Sequence, residues 1–395
     1  MTQTLLIAGG GIGGLAAALA CSRAGVEVRL LEQAPVFSEV GAGIQLGPNA
    51  TRILHDWGLQ AALEKCAAFP SRLQARSAET GKELGVLPLG ERTRLRYGAP
   101  HACVHRADIH NLLLEAVCAR PSVQLHVDAK LESFAAKSHG VEVLTQSGNI
   151  FQGEALVGAD GVWSRVRQQM LQDAPAQFAG HLAYRAMVEQ HTLPLALRSQ
   201  QVTVWMGAHL HVVVYPVRQG KWLNVVAIIE GPAPAALQDW DHSANAQDLR
   251  AAFAHTCEPL QDLVTAINYW RLWPLCARQP MQGAHEQAHG RVALLGDAAH
   301  PMRPYMAQGA GMALEDAACL GQVIGESNVP MEQRLQTYAL QRWQRNAQVQ
   351  ARSIRNGKIF HAKGPLRWGR DLAMGVLGER LMDVPWLYNG PPGMA

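Results

Sequence analysis

The chain has 395 residues, of which 48% are hydrophobic and 17% are charged. This composition predicts a globular protein with a large buried core and two or three structural domains. The formal net charge of +3 and the lack of a Lys/Arg block argue against a nucleic-acid-binding protein. No apolar run reaches the ~18 residues that suggest a membrane span. The seven cysteines form no CxxC pair, so we expect a cytoplasmic protein without a disulfide framework or a metal site.

The first predicted elements form a βαβ unit. Residues 4–9 are a short apolar run bounded by glycine, which is typical of a buried parallel strand. Residues 13–24 are small and compatible with a helix, and residues 26–32 ("VEVRLLE") indicate a second strand. Further along the chain, helices are predicted over residues 50–66 and 107–119, and a strand over residues 154–161.

The pattern changes to strand-rich over residues 176–284. Three runs, "VTVWM", "LHVVVYPV" and "WLNVVAIIE", are separated by short turns, and "RQGK" is typical of a hairpin turn. This segment therefore predicts a mostly antiparallel sheet. "RVALLGD" then returns to the α/β pattern, and helices are expected over residues 308–326 and 331–356. The simplest architecture is an α/β sheet interrupted by an inserted second domain.

A glycine motif joins the first strand to the first helix. Gly9, Gly11 and Gly14 form a GxGxxG pattern, in which the glycines allow a tight turn, close approach of a pyrophosphate and close packing of helix on strand. The helix N-terminus then offers free N–H groups to the phosphate charge. Glu32 ends the next strand, where a carboxylate accepts a ribose hydroxyl. The motif predicts dinucleotide binding, and both FAD and NAD satisfy it.

Two further motifs follow predicted strands. They are Asp160-Gly161 in "GADGVWSRVR" and Gly296-Asp297 in "LLGDAAHP". With GxGxxG, DG and GD in this order, the chain resembles the single-component (class A) flavoprotein aromatic hydroxylases over nearly its whole length. "HRADIHNLL", "AYRA" and "HPMRPYMAQGAGMALEDA" are similar to segments of the salicylate hydroxylase and 3-hydroxybenzoate 6-hydroxylase branch.

The resemblance implies an α/β fold. Its parts are a Rossmann-like FAD-binding domain of the glutathione-reductase type, an inserted and mostly antiparallel substrate sheet, and C-terminal helices. The FAD-binding domain is expected to be discontinuous, with residues 1–75, 96–175 and 285–355. Residues 76–95 and 176–284 are expected to form the substrate domain, and residues 356–395 a C-terminal helical segment and tail.

The resemblance also assigns contacts to the cofactor. Asp297, next to Gly296, is expected to hold the ribityl chain of FAD. Arg106 is expected near the FAD phosphates, and Asp160 near both FAD and the nicotinamide cofactor. The helix that begins around Gly309, Ala310 and Gly311 is expected to point its N-terminus at the flavin, where it would stabilise negative charge on the reduced ring.

The strand predicted over residues 209–217 offers candidate catalytic residues. Because side chains alternate along a strand, His209, His211 and Tyr215 share one face, while the opposite face is apolar. The spacing of His211 and Tyr215 resembles a strand that lies over the flavin in this branch of hydroxylases. The resemblance implies that His211 is the base that ionises a phenol and that Tyr215 is its catalytic neighbour. His209 is a candidate substrate contact because it shares the face.

The loop after His300 carries two further candidate substrate contacts, Arg303 and Pro304. Pro304 stands where 3-hydroxybenzoate 6-hydroxylases have a glutamine beside the substrate, which leaves the substrate open. Arg303 either binds a substrate carboxylate as a bidentate pair or faces solvent.

Together with the resemblance, these residues predict an FAD-dependent monooxygenase. It is expected to use NADH or NADPH and O2, and to hydroxylate a phenolic aromatic acid of the salicylate or 3-hydroxybenzoate type through a flavin C4a-hydroperoxide. Two alternatives stay open: a hydroxylase of a 6-hydroxynicotinate-type acid, and a flavoprotein oxidoreductase that does not hydroxylate. The expected partners are a small aromatic substrate and O2, and a homodimer is common in this branch.

Overall fold

The computed structural model of the protein describes residues 4–38, 41–234, 236–237, 242–243 and 246–391. The helices are α1 (Ile12–Arg23), α2 (Pro48–Asp56), α3 (Gln60–Cys66), α4 (Glu91–Tyr97), α5 (Arg106–Cys118), α6 (Arg165–Leu171), α7 (Ala246–Ala252), α8 (Glu258–Ala266), α9 (Gly309–Ile324), α10 (Met331–Phe360), α11 (Gly364–Met382) and α12 (Pro385–Tyr388). The strands are β1 (Thr4–Ala8), β2 (Glu27–Leu31), β3 (Gly43–Leu46), β4 (Arg72–Ser77), β5 (Glu83–Pro88), β6 (Ala102–His105), β7 (Val123–His126), β8 (Leu131–Lys137), β9 (Gly140–Thr145), β10 (Ile150–Gly153), β11 (Ala155–Gly158), β12 (Gln177–Glu189), β13 (Val202–Gly207), β14 (Leu210–Val217), β15 (Trp222–Glu230), β16 (His242–Ser243), β17 (Arg271–Ala277), β18 (Ala288–His289) and β19 (Val292–Leu294).

The first layer is a six-stranded sheet in the order β18-β19-β11-β1-β2-β7. Its strands are parallel except for the short edge strand β18. Alternation along β1 explains how the sheet is covered on both faces. Leu5 and Ile7 pack into the core shared with α1, α5 and α9, whereas Leu6 and Ala8 pack on the other side, under the small antiparallel sheet of β8, β9 and β10. The expected βαβ start and Rossmann-like layer are confirmed.

The second layer is an eight-stranded sheet in the order β16-β17-β12-β15-β14-β13-β4-β5. Its neighbours pair antiparallel except for β13 and β4, so the expectation of a mostly antiparallel sheet is confirmed. The expected hairpin turn falls at residues 218–221, where Arg218 and Gln219 adopt positive φ values of 51° and 57°. One face of this sheet packs against α7 and α8.

The structure differs from the expected elements in three places. The helix expected over 50–66 is two helices, because Gly58 adopts a φ of +81° between them. Helix α10 runs on to Phe360. The expected domain boundary at residue 75 falls inside β4, all of which belongs to the large sheet, so we place the boundary before Arg72.

The C-terminal segment links the two layers. Helix α11 packs on β5, where a Cβ added to Gly378 would lie 2.9 Å from the Gly85 Cα. Helix α12 then returns to the first layer, where Arg345 of α10 donates to the carbonyls of Trp386 and Leu387. The tail expected at the C-terminus falls largely on residues 392–395, outside the described residues. None of the helices in the described ranges has the length and apolarity needed to cross a bilayer.

Candidate active site

The turn between β1 and α1 is built so that only glycine fits. Gly9 has a φ of +106°, and a Cβ there would lie 2.4 Å from the Ala159 carbonyl oxygen. A Cβ on Gly14 would lie 1.9 Å from the carbonyl oxygen of Gly9. Gly11 precedes the first residue of α1, and no side chain caps this helix end. The first N–H groups of α1 therefore have no capping side chain, as an anionic ligand at this helix end requires.

Two side chains form hydrogen bonds with the backbone of this turn or the residues next to it. Glu32 accepts hydrogen bonds from the backbone N–H of Gly10 at 2.6 Å and of Ala34 at 2.8 Å. His110 of α5 lies 2.8 Å from the Gly10 carbonyl oxygen through Nε2. Sequence reasoning missed His110, although it lies in the quoted "HRADIHNLL" segment. Both side chains line the cavity described below.

The Gly296–Asp297 turn lies directly beside the start of α9. A Cβ on Gly309 would lie 3.9 Å from Asp297 Oδ1, so the first turn of the helix adjoins this carboxylate. Burial raises the pKa of Asp297, and the charges of Arg106 and His300 oppose that rise. The expected companions Arg106, Asp297 and Gly309 are thus brought together. Gly296 and Ala310 line the same cavity, whereas Gly311 faces Gln308, whose Oε1 would lie 2.7 Å from a Cβ there.

These elements enclose a cavity of about 1100 Å³ between the two layers. The large sheet supplies one wall through His211, Val213 and Tyr215. Val212 and Val214, which alternate with them, pack into the core beneath α8. The predicted alternation along β14 is therefore confirmed. The glycine turn and the sheet face therefore line one continuous cavity.

Comparison with known proteins identifies this arrangement. The family model described as "FAD binding domain" matches residues 1–353. The chain belongs to this family of FAD-dependent monooxygenases. It is 38% identical to a 3-hydroxybenzoate 6-hydroxylase of Polaromonas naphthalenivorans (strain CJ2), over 98% of this chain and 95% of the relative. It is 34% identical to a 6-hydroxynicotinate 3-monooxygenase of Bordetella bronchiseptica (strain ATCC BAA-588 / NCTC 13252 / RB50), over 82% of this chain and 83% of the relative. A solved salicylate hydroxylase substrate complex superposes with a TM-score of 0.83 at 25% identity, covering 100% of this chain and 99% of that one.

The residues present fit FAD, the cofactor of the family. The cavity exceeds the ~300–1,000 Å³ of a site for one small ligand, which leaves room for an aromatic substrate beside the dinucleotide. The glycine turn at Gly9 and Gly14 would hold the pyrophosphate, and Glu32 the ribose. Arg106 and Asp297 would hold the remaining polar chain, and the N-terminus of α9 would face the ring.

Asp160 lines the cavity, but its carboxylate is already engaged. It accepts hydrogen bonds from Ser164 Oγ at 2.5 Å and from the N–H groups of Arg165 at 2.8 Å and Val166 at 3.1 Å. Burial raises the pKa of Asp160, and these hydrogen bonds oppose the rise. Asp160 therefore caps the N-terminus of α6 and shapes this part of the cavity wall.

The two residues expected to be catalytic, His211 and Tyr215, differ in their hydrogen bonds and in the direction of their pKa shifts. His211 is 1% exposed, lines the cavity and has an unusually low pKa because of burial. Tyr215 donates its hydroxyl proton to the Gly43 carbonyl at 2.6 Å, and burial raises the pKa of its phenol. Tyr215 thus fixes β3 against the large sheet, whereas the hydrogen bonds of the His211 ring do not involve β3.

The structure does not bring all expected substrate contacts to the cavity. Pro304 lines it, together with Met302. Arg303 does not line the cavity. It lies near His181, whose pKa burial and then the charge of Arg303 lower, and near Tyr305, whose pKa burial raises against the effect of Arg303. His209 lies in the turn before β14 with a φ of +63°, exposed and 2.6 Å from Glu230 Oε2. Strand β14 begins at Leu210, so the alternation does not extend to His209, and the loop after His300 places the half-buried Arg303 beside His181 instead of in the cavity.

Arg185 is the cation that sequence reasoning missed. It lies on β12, lines the cavity, and places its guanidinium carbon 4.0 Å from the centre of the Trp273 ring. Its Nε has no hydrogen-bond partner among the described residues. Burial lowers the pKa of Arg185 to about 10, which still leaves it charged at neutral pH. The quoted "AYRA" segment contained the signal, because Arg185 is the one cation in that buried strand pattern.

A buried charge network supports the loop over residues 296–308. Asp316 of α9 accepts hydrogen bonds from the Gly296 N–H at 3.1 Å and from Arg342 at 2.7 Å, and lies 2.5 Å from His300 Nε2. Burial would raise the pKa of Asp316, but His300 and Arg342 hold it well below its usual range. Arg342 also donates to Glu315 at 2.9 Å. The network ties the Gly296–Asp297 turn to α9 and α10.

One group within the described residues has the composition of a metal site. His181, Glu230 and His361 each place one ligand atom within 4.8 Å of the others. Glu230 Oε2 lies 2.6 Å from His209 and His361 Nε2 lies 2.7 Å from His211, whereas Nδ1 of His181 and of His361 are buried without a hydrogen-bond partner among the described residues. These contacts connect the group to His211 in the cavity wall and to His209 at the surface.

Proposed function

We propose that the chain is an NAD(P)H-dependent hydroxylase of a phenolic aromatic acid of the 3-hydroxybenzoate or salicylate type. The observation that carries the proposal is the position of His211, a buried imidazole in the wall of the cavity that also contains Asp297 and Pro304. The chemistry that bound FAD supplies is hydride uptake from NAD(P)H and activation of O2.

His211 would ionise the substrate. Because burial lowers its pKa, the imidazole is neutral at neutral pH and free to accept a proton. A phenolate ring carbon is more electron-rich than that of a phenol and attacks an electrophilic oxygen more readily. Proton removal by a positioned base contributes about 10²–10⁴-fold to such reactions.

Arg185 would bind the substrate carboxylate. A guanidinium presents parallel donors that match a carboxylate, and the Arg185 Nε is unpaired in the described residues. Stacking on Trp273 holds the guanidinium in one orientation. A second cation, Arg106, lies near enough to lower the pKa of Arg185. This part of the cavity therefore favours an anionic substrate.

Several apolar side chains also line the cavity and would keep water away from the reacting atoms. They are Ile44, Val213, Val226, Ile228 and Met302. A dry site directs activated oxygen to the ring, whereas water favours its loss as H2O2.

A panel of acids tests the proposal. We expect 3-hydroxybenzoate or salicylate to stimulate NADH oxidation with little H2O2 release, and benzoate, which lacks the phenol, to give no hydroxylated product. The similarity to a 6-hydroxynicotinate 3-monooxygenase favours a hydroxypyridine carboxylic acid as the second candidate, which belongs in the same panel. If no acid in the panel yields a hydroxylated product, the proposal fails.

We also propose that the enzyme is a cytoplasmic homodimer. All seven cysteines are free thiols, which fits a reducing compartment. Helix α11 exposes Leu366, Trp368, Leu372 and Val376 on its outer side, a surface suited to a second copy. Leu372→Glu is expected to give a monomer in light scattering, and Leu195→Glu, at a similarly exposed leucine elsewhere, is expected to leave the mass unchanged. A wild-type monomer contradicts the proposal.

A further inference from the structure

His211 is connected through its second ring nitrogen to a chain of polar side chains. Its Nδ1 lies 2.7 Å from Nε2 of His361, the residue that follows α10. This leaves Nε2 as the nitrogen available to a substrate in the cavity. Two ring nitrogens at this distance share one proton, so one imidazole donates while the other accepts.

The chain continues from His361 to the protein surface. Nδ1 of His361 lies 3.4 Å from Glu230 Oε1, which is within ion-pair distance but lacks hydrogen-bond geometry. Glu230 Oε2 lies 2.6 Å from His209 Nδ1. The side chain of His361 is 3% exposed, whereas those of Glu230 and His209 are 43% and 50% exposed. Four side chains therefore lead from the buried cavity wall to bulk water.

We propose that His361 and Glu230 form a proton relay that carries the substrate's phenolic proton from His211 to solvent. This inference rests on the proposed function, because it needs a phenolic substrate. It explains how a base buried deep in a dry cavity is returned to its neutral form in each cycle.

The protons balance along the chain. The phenolic proton moves to His211 Nε2, and the proton on His211 Nδ1 passes to His361 Nε2. The proton on His361 Nδ1 then passes to Glu230, which releases it to water or to His209. Each imidazole ends neutral with its proton on the other nitrogen, and ring flips or the reverse transfer restore the starting tautomers.

The surroundings keep both imidazoles neutral. His361 faces His181, with ring centres 4.9 Å apart, and the Tyr305 ring at 5.9 Å, while Arg303 acts on His181 from the loop side. Burial and His181 lower the pKa of His361 to about 4, although Glu230 opposes the shift. Burial, with smaller effects of His361 and His181, lowers the pKa of His211. A neutral imidazole accepts at one nitrogen and donates from the other, as a relay requires.

The experiment compares wild-type holoenzyme with His361→Gln and Glu230→Gln. Each protein is mixed in a stopped-flow instrument with the phenolic acid that the panel identifies, without NADH, in weak buffer with a pH indicator. Proton release and the phenolate absorbance of the bound ligand are recorded. His191→Gln is the matched control, since His191 lies 3.1 Å from Glu189 in an exposed pair away from the cavity.

We expect His361→Gln to slow proton release by about tenfold or more. The effect is expected to be smaller than the ~10²–10⁴-fold contribution of a complete general base, because water can replace the relay in part. Glu230→Gln is expected to slow it less, and added imidazole or acetate buffer to restore its rate. FAD content verifies that each variant is folded, and Glu230→Gln, at an exposed position, keeps the test valid if His361→Gln does not fold.

Two results would overturn the relay. One is release at the wild-type rate in both variants. The other is one equivalent of zinc per chain in the dialysed protein, because a metal at His361 Nδ1 would block the path. Failure of the proposed function is different, since it appears as wild-type enzyme that hydroxylates no phenolic acid. Failure of the relay alone leaves wild-type hydroxylation intact.

Discussion

Replacement of Arg342 by methionine tests whether the buried network holds the cofactor loop in place. Arg342 is fully buried and donates to Asp316 at 2.7 Å, to Glu315 at 2.9 Å and to Asn346 at 3.2 Å. Methionine fills a similar volume but leaves two buried carboxylates without this cation. Breaking a buried ion pair in this way costs about 3–5 kcal/mol.

The lower end of that range is expected here. Glu315 keeps both hydrogen bonds from Arg345, at 2.7 and 2.8 Å, and Asp316 keeps its contact with His300 at 2.5 Å. A loss of about 3 kcal/mol lowers the Tm of a domain of ~150–250 residues by roughly 6–12 °C. FAD retention is expected to fall with it, because Asp316 also holds the Gly296 N–H.

Thermal unfolding followed by flavin fluorescence measures both effects. Lys137→Met is the control, because Lys137 pairs with Glu142 at 2.8 Å on the surface and is 58% exposed. Its removal is expected to cost at most about 1 kcal/mol. An Arg342→Met protein that melts within 2 °C of the control, a margin of about 1 kcal/mol or less at this size, refutes the role given to the network.

Three further predictions concern the turn, the substrate and pH. Gly14→Ala is expected to abolish FAD retention, because its Cβ would lie 1.9 Å from a backbone oxygen, whereas Gly369→Ala, with open space around it, is expected to retain FAD and gain up to about 1 kcal/mol of stability; equal flavin content in both variants contradicts this. Arg185→Met is expected to raise KM for the carboxylated substrate about 10- to 100-fold without affecting KM for a decarboxylated analogue, while Arg303→Met leaves both KM values unchanged. The opposite pattern in steady-state kinetics would make Arg303, and not Arg185, the residue that binds the carboxylate. Burial lowers the pKa of His101 to about 4, so the unfolded chain binds a proton first as pH falls below about 6.5, and stability is lost from there down to about pH 4. His101→Gln should remove about 2 kcal/mol of the stability that the wild-type protein loses between pH 7 and 5. Tm values that fall in parallel with pH for the wild type and His101→Gln would argue against this assignment.

The cofactor half of the site follows from sequence because its constraints are local. The turn at Gly9 and Gly14 needs glycine within one strand–helix connection, and Asp297 follows its strand directly, so chain order alone places these residues at one sheet edge. The alternation of His211 and Tyr215 follows equally from strand geometry.

The substrate half depends on packing between distant segments, which a linear pattern does not contain. Arg303 and Arg185 are both cations in segments similar to the same hydroxylase branch, and only the tertiary structure places Arg185 in the cavity and Arg303 outside it. His361 follows the end of a long helix and meets His211 across 150 positions of sequence. No periodicity within one element indicates such a contact.

The most direct measurement of the central claim is the fate of oxygen during turnover. The enzyme is supplied with NADH, the phenolic acid from the panel and ¹⁸O2, and the product is analysed by mass spectrometry. The account predicts one ¹⁸O atom in the aromatic product for nearly every NADH consumed. An unlabelled product, or full recovery of the electrons as H2O2 with every acid tested, would contradict it.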